Sequence, residues 1–402
     1  MNFRSCEIKD ICKIKSGKRL PKGTDFSEKP TKHKYIRARD IKNGKIDGSD
    51  LGYISEETHK KIARYIVNTN DIIITIAGTI GEVALVSKKF DGVNLTENAV
   101  RLTEFSKDVC PEFLAYILKS PERKEYMEQV AGGSAQPKLG IYKIEAIKVD
   151  LPDIQIQHKI ADILSAYDDL IENNQKQIKL LEEATQRLYK EWFVDLRFPG
   201  HENTKIVDGV PEGWQWCKVR DVADINSSAL PKNYKEDFID YVDLGSVRCG
   251  HIETRTRYNL NEAPGRAKRC AKDGDIIWGM VRPNLKAYAL VTNPKETDVF
   301  STGFAVLSAK KVPYSYLYCA VTQEEFVGYL VNATNGAAYP AVKPVHFEVA
   351  DILKPDDKVL EQFHSVADSI YRKKEALENQ NHNLSEARDL LLPKLMRGEV
   401  EV

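Results

Sequence analysis

The chain has 402 residues, and 59 Lys and Arg balance 59 Asp and Glu, so its formal net charge is zero. This length exceeds one hydrophobic core and indicates two or three domains, and a hydrophobic content of 42% excludes wholesale disorder. No apolar run approaches the roughly 20 residues of a membrane-spanning helix, and the N-terminus lacks a secretory signal, so we expect a cytoplasmic protein without membrane contact. Seven scattered cysteines, never spaced as Cys-x-x-Cys, indicate reduced thiols.

Although the total charge is zero, the basic residues are unevenly distributed. Residues 1–45 contain 14 Lys and Arg against 5 Asp and Glu, and residues 248–272 contain 7 against 2. A phosphate backbone responds to local charge more than to the total, so these two basic islands keep nucleic acid open as a partner.

The chain repeats itself. The first half contains five recognisable segments in chain order. They are a basic and apolar opening at residues 7–11, a strand-like run at 35–41, a second apolar run at 70–73, a glycine loop before proline at 132–137, and a helical motif at 181–184. The second half answers in the same order at residues 218–222, 241–247, 274–277, 335–340 and 384–387. The offset drifts from 211 to 203 residues, so we predict an internal duplication with pseudo-twofold symmetry.

The first 150 or so residues of each half contain short β-branched or aromatic runs between Gly, Asn and Asp, a pattern that predicts an α+β domain rich in strands. Short helices are expected at residues 113–118 and 314–321. The glycine loops have two open interpretations: tight turns, or backbone N–H groups that approach phosphate.

Each half ends in a long heptad pattern, which predicts two coiled-coil helices that pair antiparallel with a globular domain at each end. Asn174 and Asn381 interrupt the apolar seam, where polar residues cost stability but fix register and partner. Pro393 is expected to close the second helix. The alternative is that each helix packs only on its own domain. The seam positions are Ile160, Leu164, Tyr167, Ile171, Asn174, Ile178, Leu181 and Leu188 in the first helix, and Phe363, Ile370, Leu377, Asn381, Leu384 and Leu391 in the second.

Two similar domains on a stiff spacer are suited to read two separated features of one extended object, and duplex DNA is such an object. Basic side chains would position the protein on phosphates, and polar side chains on loops would read base edges. In the first domain we assign backbone contact to Lys18, Arg19 and Lys22, and base contact to Arg37 or Arg39. In the second, the backbone candidates are Arg255, Arg257, Arg266, Lys268 and Arg269, and the base candidates are Arg282 and Asn284 beside Trp278.

Catalytic motifs are missing from the sequence. The stretch from Ser16 to Arg19 lacks the leading glycine and the hydroxyl residue of a phosphate-binding loop. No Asp or Asn is followed by two prolines and an aromatic residue, and the eight histidines show no metal-ligand spacing. Asp71 and Asp275 occupy matched positions, where we expect them to pin the start of a strand rather than to act as bases.

Two segments of this chain resemble conserved motifs of a known protein family. Residues 188–200 read Leu-Tyr-Lys-Glu-Trp-Phe-Val-Asp-Leu-Arg-Phe-Pro-Gly, and residues 391–400 read Leu-Leu-Pro-Lys-Leu-Met-Arg-Gly-Glu-Val. Together with the order of domains and helices, they resemble the conserved regions of type I restriction-modification specificity subunits.

This resemblance implies target recognition domains at residues 1–150 and 201–355, each reading half of a bipartite DNA site. It implies conserved helices at residues 151–200 and 356–402, which fix the spacer and dock two modification (methyltransferase) subunits. Restriction subunits would complete the nuclease. S-adenosylmethionine, ATP and Mg would bind those partners, and this chain would bind no cofactor and have no catalytic centre.

Two other functions fit the same patterns: a type IIB-like or stand-alone DNA-recognition protein, and a coiled-coil scaffold that does not bind DNA. The second recognition domain is neutral, with 19 basic and 19 acidic residues between positions 201 and 355, so its DNA contact must be local or supplemented by partners. Salt dependence separates the scaffold from the DNA readers, because counterion release weakens DNA binding as ionic strength rises.

Overall fold

The computed structural model describes residues 3–132, 137–334 and 340–400. The chain forms two compact units. The first unit contains residues Met1–Glu172 and His382–Val402, and the second contains Asn173–Asn381. Each unit therefore combines a globular part with segments of both long helices.

The first unit is built on two small sheets and a pair of short ribbons. The main sheet has the strand order β2-β10-β7-β8, a three-stranded sheet has the order β6-β3-β9, and the ribbons are β1-β11 and β4-β5. The strands are β1 Arg4–Glu7, β2 Lys13–Ser16, β3 His33–Ile36, β4 Ile41–Lys42, β5 Lys45–Ile46, β6 Gly52–Ile54, β7 Ile72–Thr75, β8 Val83–Leu85, β9 Asn94–Leu95, β10 Ala99–Thr103 and β11 Lys148–Leu151. The helices are α1 Ile8–Ile11, α2 Glu56–Ile62, α3 Pro111–Lys119, α4 Pro121–Ala131, α5 Ile141–Glu145 and the first part of α6 Ile154–Tyr189.

The second unit repeats this plan. Its main sheet is β15-β24-β21-β22, its ribbons are β14-β25 and β17-β18, and its other sheet has a fourth strand, in the order β19-β16-β23-β20. The strands are β12 Ile206–Val207, β13 Val210–Pro211, β14 Gln215–Lys218, β15 Ala223–Ile225, β16 Phe238–Val242, β17 Val247–Arg248, β18 His251–Ile252, β19 Thr256–Asn259, β20 Ala267–Arg269, β21 Ile276–Gly279, β22 Tyr288–Leu290, β23 Asp298–Ser301, β24 Phe304–Ala309 and β25 Asp351–Lys354. The helices are α7 Val219–Val222, α8 Tyr314–Thr322, α9 Glu324–Asn332, α10 Pro344–Glu348 and most of α11 Asp357–Met396.

The central strands explain why each unit folds around its main sheet. The strands β7 and β21 are buried at every position, as expected for apolar runs covered on both faces. In the first unit, this sheet packs with α3, the start of α6 and Leu395 of α11 into one core. In the second, it packs with an aromatic cluster that includes Tyr189, Phe193 and Phe363. The predicted α+β fold with an internal duplication is confirmed.

The strand-like runs predicted at residues 35–41 and 241–247 are shorter than expected. Strand β3 ends at Ile36 and β16 at Val242, and each is followed by a 3-10 turn. Asp40 Oδ2 accepts the backbone N–H of Arg37 at 2.8 Å, and Asp243 Oδ1 accepts that of Ser246 at 2.9 Å. Aspartate side chains that bond nearby backbone compete with strand pairing, so both runs turn at the same place.

The second long helix does not end at Pro393, contrary to prediction, because it continues to Met396. Proline here removes one hydrogen bond in the last turns without stopping the helix. The helix ends instead at Gly398, whose φ is +70°. The Gly398 N–H donates to Leu395 O at 3.2 Å and the Glu399 N–H to Lys394 O at 2.9 Å, which is the Schellman arrangement.

The two long helices run antiparallel in each unit. In the first unit, Arg388 Nη1 of α11 contacts Asp168 Oδ1 of α6 at 2.5 Å. In the second, Asn174 contacts Asn381 and Glu182 contacts Lys374, so residue numbers rise on one helix as they fall on the other. After Tyr189, α6 passes into a π-helical turn, Lys190–Val194. Within the described ranges, no helix is long and apolar enough to cross a membrane.

Candidate nucleic-acid interface

The candidate interface in the first unit is an open cleft beside the end of β2. Its walls come from the loop after β2, the end of β7 and the start of α5, and Ala77 and Lys138 form a bridge beside it. Gly17 lets this loop lie flat, because a Cβ there would stand 2.0 Å from Thr96 O. The cleft is lined by Ser16, Gly17, Lys18, Ile76, Glu97, Lys138, Leu139, Gly140, Ile141, Tyr142 and Lys143.

Three lysines and one aromatic residue are among the eleven residues that line this cleft. Lys18 and Lys138 are exposed, and the Tyr142 ring is 68% exposed, an unusual position for a large aromatic side chain. Lys18 Nζ lies 5.8 Å from the centre of the Tyr65 ring, and the guanidinium carbon of Arg64 lies 4.9 Å from it. Cations beside a partly exposed aromatic ring suit phosphates and unpaired bases.

The sequence analysis missed five residues here: Lys138, Tyr142 and Lys143, which line the cleft, and Arg64 and Tyr65 beside Lys18. The available signal was the adjacent basic and aromatic pairs, Arg64-Tyr65 and Tyr142-Lys143. They lie outside the basic islands, and only the fold brings residue 142 to the loop after β2.

The predicted backbone-contacting residues of the first unit lie on the loop that follows β2. Lys18, Arg19 and Lys22 are all exposed. Arg19 Nε contacts Glu97 Oε1 at 2.7 Å. Burial would raise the pKa of the Glu97 carboxyl, but hydrogen bonds from Arg19 and Thr96 hold it below its usual value. Tyr35 Oη donates to Lys18 O at 2.7 Å and fixes the loop, and burial raises the pKa of Tyr35 to about 12.

The two predicted base-reading residues of the first unit differ in availability. Arg37 is 19% exposed and forms a bidentate pair with Asp40, with Nε and Nη2 each 2.9 Å from a carboxylate oxygen. It also contacts Asp50, so its donors already serve the turn after β3. Arg39 is 67% exposed, and its guanidinium lies 3.2 Å from Asp50 Oδ2 and 3.9 Å from Asp40 Oδ1. The geometry favours Arg39.

In the second unit, Arg282 and Asn284 lie on the loop between β21 and β22, and both are exposed. The Arg282 N–H donates to Pro340 O at 2.8 Å, and its φ is +50°. Trp278, predicted beside them, is fully buried, and its Nε1 donates to Val321 O at 3.0 Å. It is a core residue and cannot contact a base.

The basic island of the second unit separates into two places. Arg255 and Arg257 lie in and next to β19, whereas the other three flank or occupy β20, the strand at the opposite edge of the sheet. Arg255 Nε is 3.3 Å from Asp298 Oδ1, and Arg257 pairs bidentately with Asp240 at 2.9 and 3.1 Å. The Arg257 hydrogen bonds lower the pKa of Asp240.

The β20 group lies beside the loop after β15. Leu230 N–H donates to Lys268 O at 3.0 Å, and Ala229 and Arg269 form an isolated bridge. Arg266 and Lys268 are exposed, whereas Arg269 is half-buried and its Nε is buried without a hydrogen-bond partner. The structure thus brings together Arg266, Lys268 and Arg269 and separates them from Arg255 and Arg257.

The predicted seam residues of the helices all lie on the inner faces. Seven are buried: Ile160, Leu164, Ile171, Asn174, Ile178, Phe363 and Leu377. Seven are half-buried: Tyr167, Leu181, Leu188, Ile370, Asn381, Leu384 and Leu391. Charged contacts border this seam, and His251 is held between Glu182 Oε1 at 3.2 Å and Glu378 Oε1 at 2.9 Å. These hydrogen bonds raise the pKa of His251 to about 9.

The matched aspartates hold the turns before the central strands. Asp71 Oδ2 accepts the Asn68 N–H at 2.8 Å, and Asp275 Oδ2 accepts the Lys272 N–H at 2.9 Å. Asp71 also pairs with buried Arg101 at 2.6 Å, whereas burial raises the pKa of Asp275. In the described parts of the chain, no three His, Cys, Asp or Glu residues are placed to hold a metal. The glycine loops lie largely outside the described residues, at 133–136 and 335–339.

Comparisons with known proteins define the class first. Residues 2–183 match the type I restriction modification DNA specificity domain. The type I restriction enzyme MjaIX specificity subunit of Methanocaldococcus jannaschii is 27% identical over 361 residues, which cover 87% of this chain and 82% of that protein. The HindI specificity subunit of Haemophilus influenzae is 22% identical over 435 residues, covering 91% and 94%.

A solved structure shares the fold. The S subunit of a type I restriction-modification system from M. genitalium superposes with a TM-score of 0.62 at 16% identity, covering 98% of this chain and 96% of that chain. The chain belongs to the type I restriction-modification specificity subunits. Subunits of this class recognise DNA sequence and are not catalytic.

Proposed function

We propose that each unit reads one half of a bipartite DNA target, and that the paired helices α6 and α11 fix the unspecific spacer between the halves. The observation that supports this most is that one fold occurs twice with different charged residues at matched loops. A duplicated scaffold with changed loops is suited to read two different sequences, since base contacts come from a few side chains on a fixed framework.

In the first unit, the basic cleft would grip phosphates through Lys18, Lys138 and Lys143, with Arg19 and Lys22 beside it. Arg39 would reach base edges, since its guanidinium is more exposed than that of Arg37. In the second unit, the phosphate contacts would come from β20 and the base contacts from the loop after β21. Their residues are Arg266, Lys268 and Arg269 for phosphate and Arg282 and Asn284 for bases.

We further propose that α6 and α11 dock two modification subunits, that restriction subunits join this core, and that the assembly works in the cytoplasm. S-adenosylmethionine, ATP and Mg would bind the partner subunits. The equal numbers of basic and acidic residues in the second recognition domain support a shared interface, because partners can supply the phosphate contacts that this domain lacks.

The test is co-expression with a cognate modification subunit, followed by sequencing of methylated adenines in the host DNA. We expect a bipartite motif with a fixed spacer. A stable complex without such a motif would contradict the reading of two half-sites. A binding titration of the same complex against salt separates the remaining functions, since about −0.9 in log–log slope is expected per phosphate contact. A flat response would indicate a scaffold that does not bind DNA.

A further inference from the structure

The polar residues of the helix seam face each other in the second unit. Asn174 Nδ2 donates to Asn381 Oδ1 at 3.0 Å and to Gln380 Oε1 at 3.1 Å. One turn later on α6 is Ile178, and one turn earlier on α11 is Leu377, and both are buried. Because the helices run antiparallel, these steps lead to facing positions, so position 178 faces position 377. An amide side chain therefore faces an amide side chain, and an aliphatic side chain faces an aliphatic one.

The duplication shows which residues of the two helices correspond. Ile160 and Phe363 are both fully buried, as are Leu164 and Ala367, and each pair is separated by 203 residues, like the repeated motifs at 181–184 and 384–387. With this offset, Asn174 of α6 corresponds to Leu377 of α11, and Ile178 corresponds to Asn381. The two helices therefore carry the amide and the aliphatic residue in opposite order.

This inverted order distinguishes unlike from like pairing. If two copies of α6 paired in the same register, Asn174 of each copy would face Ile178 of the other. If two copies of α11 paired, Asn381 would face Leu377. Both arrangements place an amide against an aliphatic side chain, so the hydrogen bond between the amides of positions 174 and 381 is lost. We propose that the inverted order selects the helix partner, so that α6 pairs with α11 and rejects α6 of a second copy of this chain.

The ion pairs support the same preference independently. Lys374 is 8% exposed, and its Nζ lies 2.7 Å from Glu182 Oε1 and 3.1 Å from Gly250 O. In a pair of α11 helices, Lys374 would face Ser385 and leave an ammonium group buried without its carboxylate.

The first unit adds a second ion pair, between Arg388 and Asp168 at 2.5 Å, and Tyr116 Oη donates to the same carboxylate at 2.6 Å. In a pair of α11 helices, Arg388 would face Tyr371, and in a pair of α6 helices, Asp168 would face Thr185. Both ion pairs therefore form only when α6 pairs with α11. This selection concerns the chain's own assembly and is independent of whether the units read DNA as proposed.

The test exchanges residues between the seam positions and keeps the number of amide and of aliphatic side chains in the full chain constant. The variant Ile178→Asn with Asn381→Leu places an amide against an aliphatic side chain at both positions of the α6–α11 pair. In a pair of two α6 helices or of two α11 helices, the same variant places amide against amide or aliphatic against aliphatic. Relative to the parent, we expect its thermal unfolding midpoint to fall by roughly 5 °C or more and its dimer fraction, measured by light scattering of concentrated protein, to rise.

A second variant reverses the order in both helices, with Asn174→Ile, Ile178→Asn, Leu377→Asn and Asn381→Leu. It restores amide against amide and aliphatic against aliphatic in the α6–α11 pair. At least half of the decrease in the thermal unfolding midpoint should therefore be recovered, and the mass distribution should return to that of the parent. The matched control is Leu180→Asn on the solvent side of α6, where the side chain is 63% exposed and the midpoint should barely move.

Two results would overturn the proposal. The fourfold variant could be no more stable than the twofold variant, which would mean that the positions act independently. Alternatively, the twofold variant could lose stability while its mass distribution stays that of the parent, which would mean that the seam does not choose between partners. Should the twofold variant fail to fold, comparison of the fourfold variant with the parent and with Leu180→Asn decides the first point.

Discussion

In the first unit, the loop after β2 carries its own charge in Lys18 and Arg19, and α5 adds Lys143. In the second unit, the corresponding positions hold Ala229, Leu230 and His346. Charge reaches that loop from β20, a strand without a counterpart in the three-stranded sheet of the first unit.

The loop between β7 and β8, and its counterpart between β21 and β22, differs in the opposite sense. It is glycine-rich at residues 78–81 in the first unit, and it presents Arg282 in the second. In both units this loop lies beside the segment after the glycine-proline loop, through the bridges Ala77–Lys138 and Val281–Ala341. The framework of the site is therefore duplicated while its charged groups are redistributed, as the proposal of two differently read half-sites requires.

The largest expected difference between the units concerns the buried aspartates. Replacing Asp71→Asn leaves Arg101 buried without a counter-charge, and breaking such a pair costs about 3–5 kcal/mol in the free energy of unfolding. Chemical denaturation measures this loss. Asp275→Asn is the matched control: among the described residues its carboxyl forms no ion pair, and burial raises its pKa, so the folded chain binds protons more readily and stability falls as pH rises through that pKa. The control variant should therefore lose little at neutral pH. Equal losses in the two variants would contradict the assignment.

The second-largest expected effect concerns base selectivity, because each unit should act on a different half-site. Arg39→Ala and Arg282→Ala should each relax preference at a different half-site by about 1–3 kcal/mol per bidentate contact. Competition binding of the assembled complex to single-base variants of the target measures this. Arg37→Ala serves as the control, because its guanidinium is held by Asp40 and its loss should lower stability rather than change base preference. A uniform loss over all sequences would assign either residue to phosphate contact instead.

Phosphate contact should differ at the corresponding helices α5 and α10. Lys138→Ala with Lys143→Ala should weaken binding on every sequence and lower the magnitude of the salt slope by about 2, one for each lost contact. His346→Ala in the second unit should leave the slope unchanged. The slope comes from titrations at several salt concentrations, and an unchanged slope in the double variant would remove the first cleft from the interface.

The smallest effect concerns pH. His251 of the second unit and Lys45 of the first occupy matched positions, and each contacts a carboxylate of a long helix. Lys45 Nζ lies 2.9 Å from Glu172. His251 contacts Glu182 and Glu378, which also pair with Lys374. The raised His251 pKa of about 9 means that its stabilisation is complete below the ordinary value of 6.5 and is lost as pH rises through 9. His251→Lys should flatten the unfolding midpoint over this pH range. A parent chain whose midpoint shows no fall there would refute the assignment.

The sequence predicted the long helices and the duplication because a heptad pattern and repeated motifs persist over many residues. It did not predict where β3 ends, because that depends on one aspartate bonding back to the turn at Arg37. It could not separate Arg37 from Arg39, since ion pairing within a turn is invisible in a basic island. It also missed Tyr142 and Lys143, which reach the loop after β2 only through the pairing around β7.

Leu395 is 1% exposed and packs into the core of the first unit with Ile160 and Leu164. During translation, these partners emerge long before Leu395 does. At about 5–20 residues per second, the interval is on the order of ten to fifty seconds. For that time the core of the first domain lacks Leu395, and the apolar surface that this residue covers stays exposed. Completion of the first domain therefore waits until Leu395 is synthesised, and a ribosome that stalls within the second half leaves the first half unfinished.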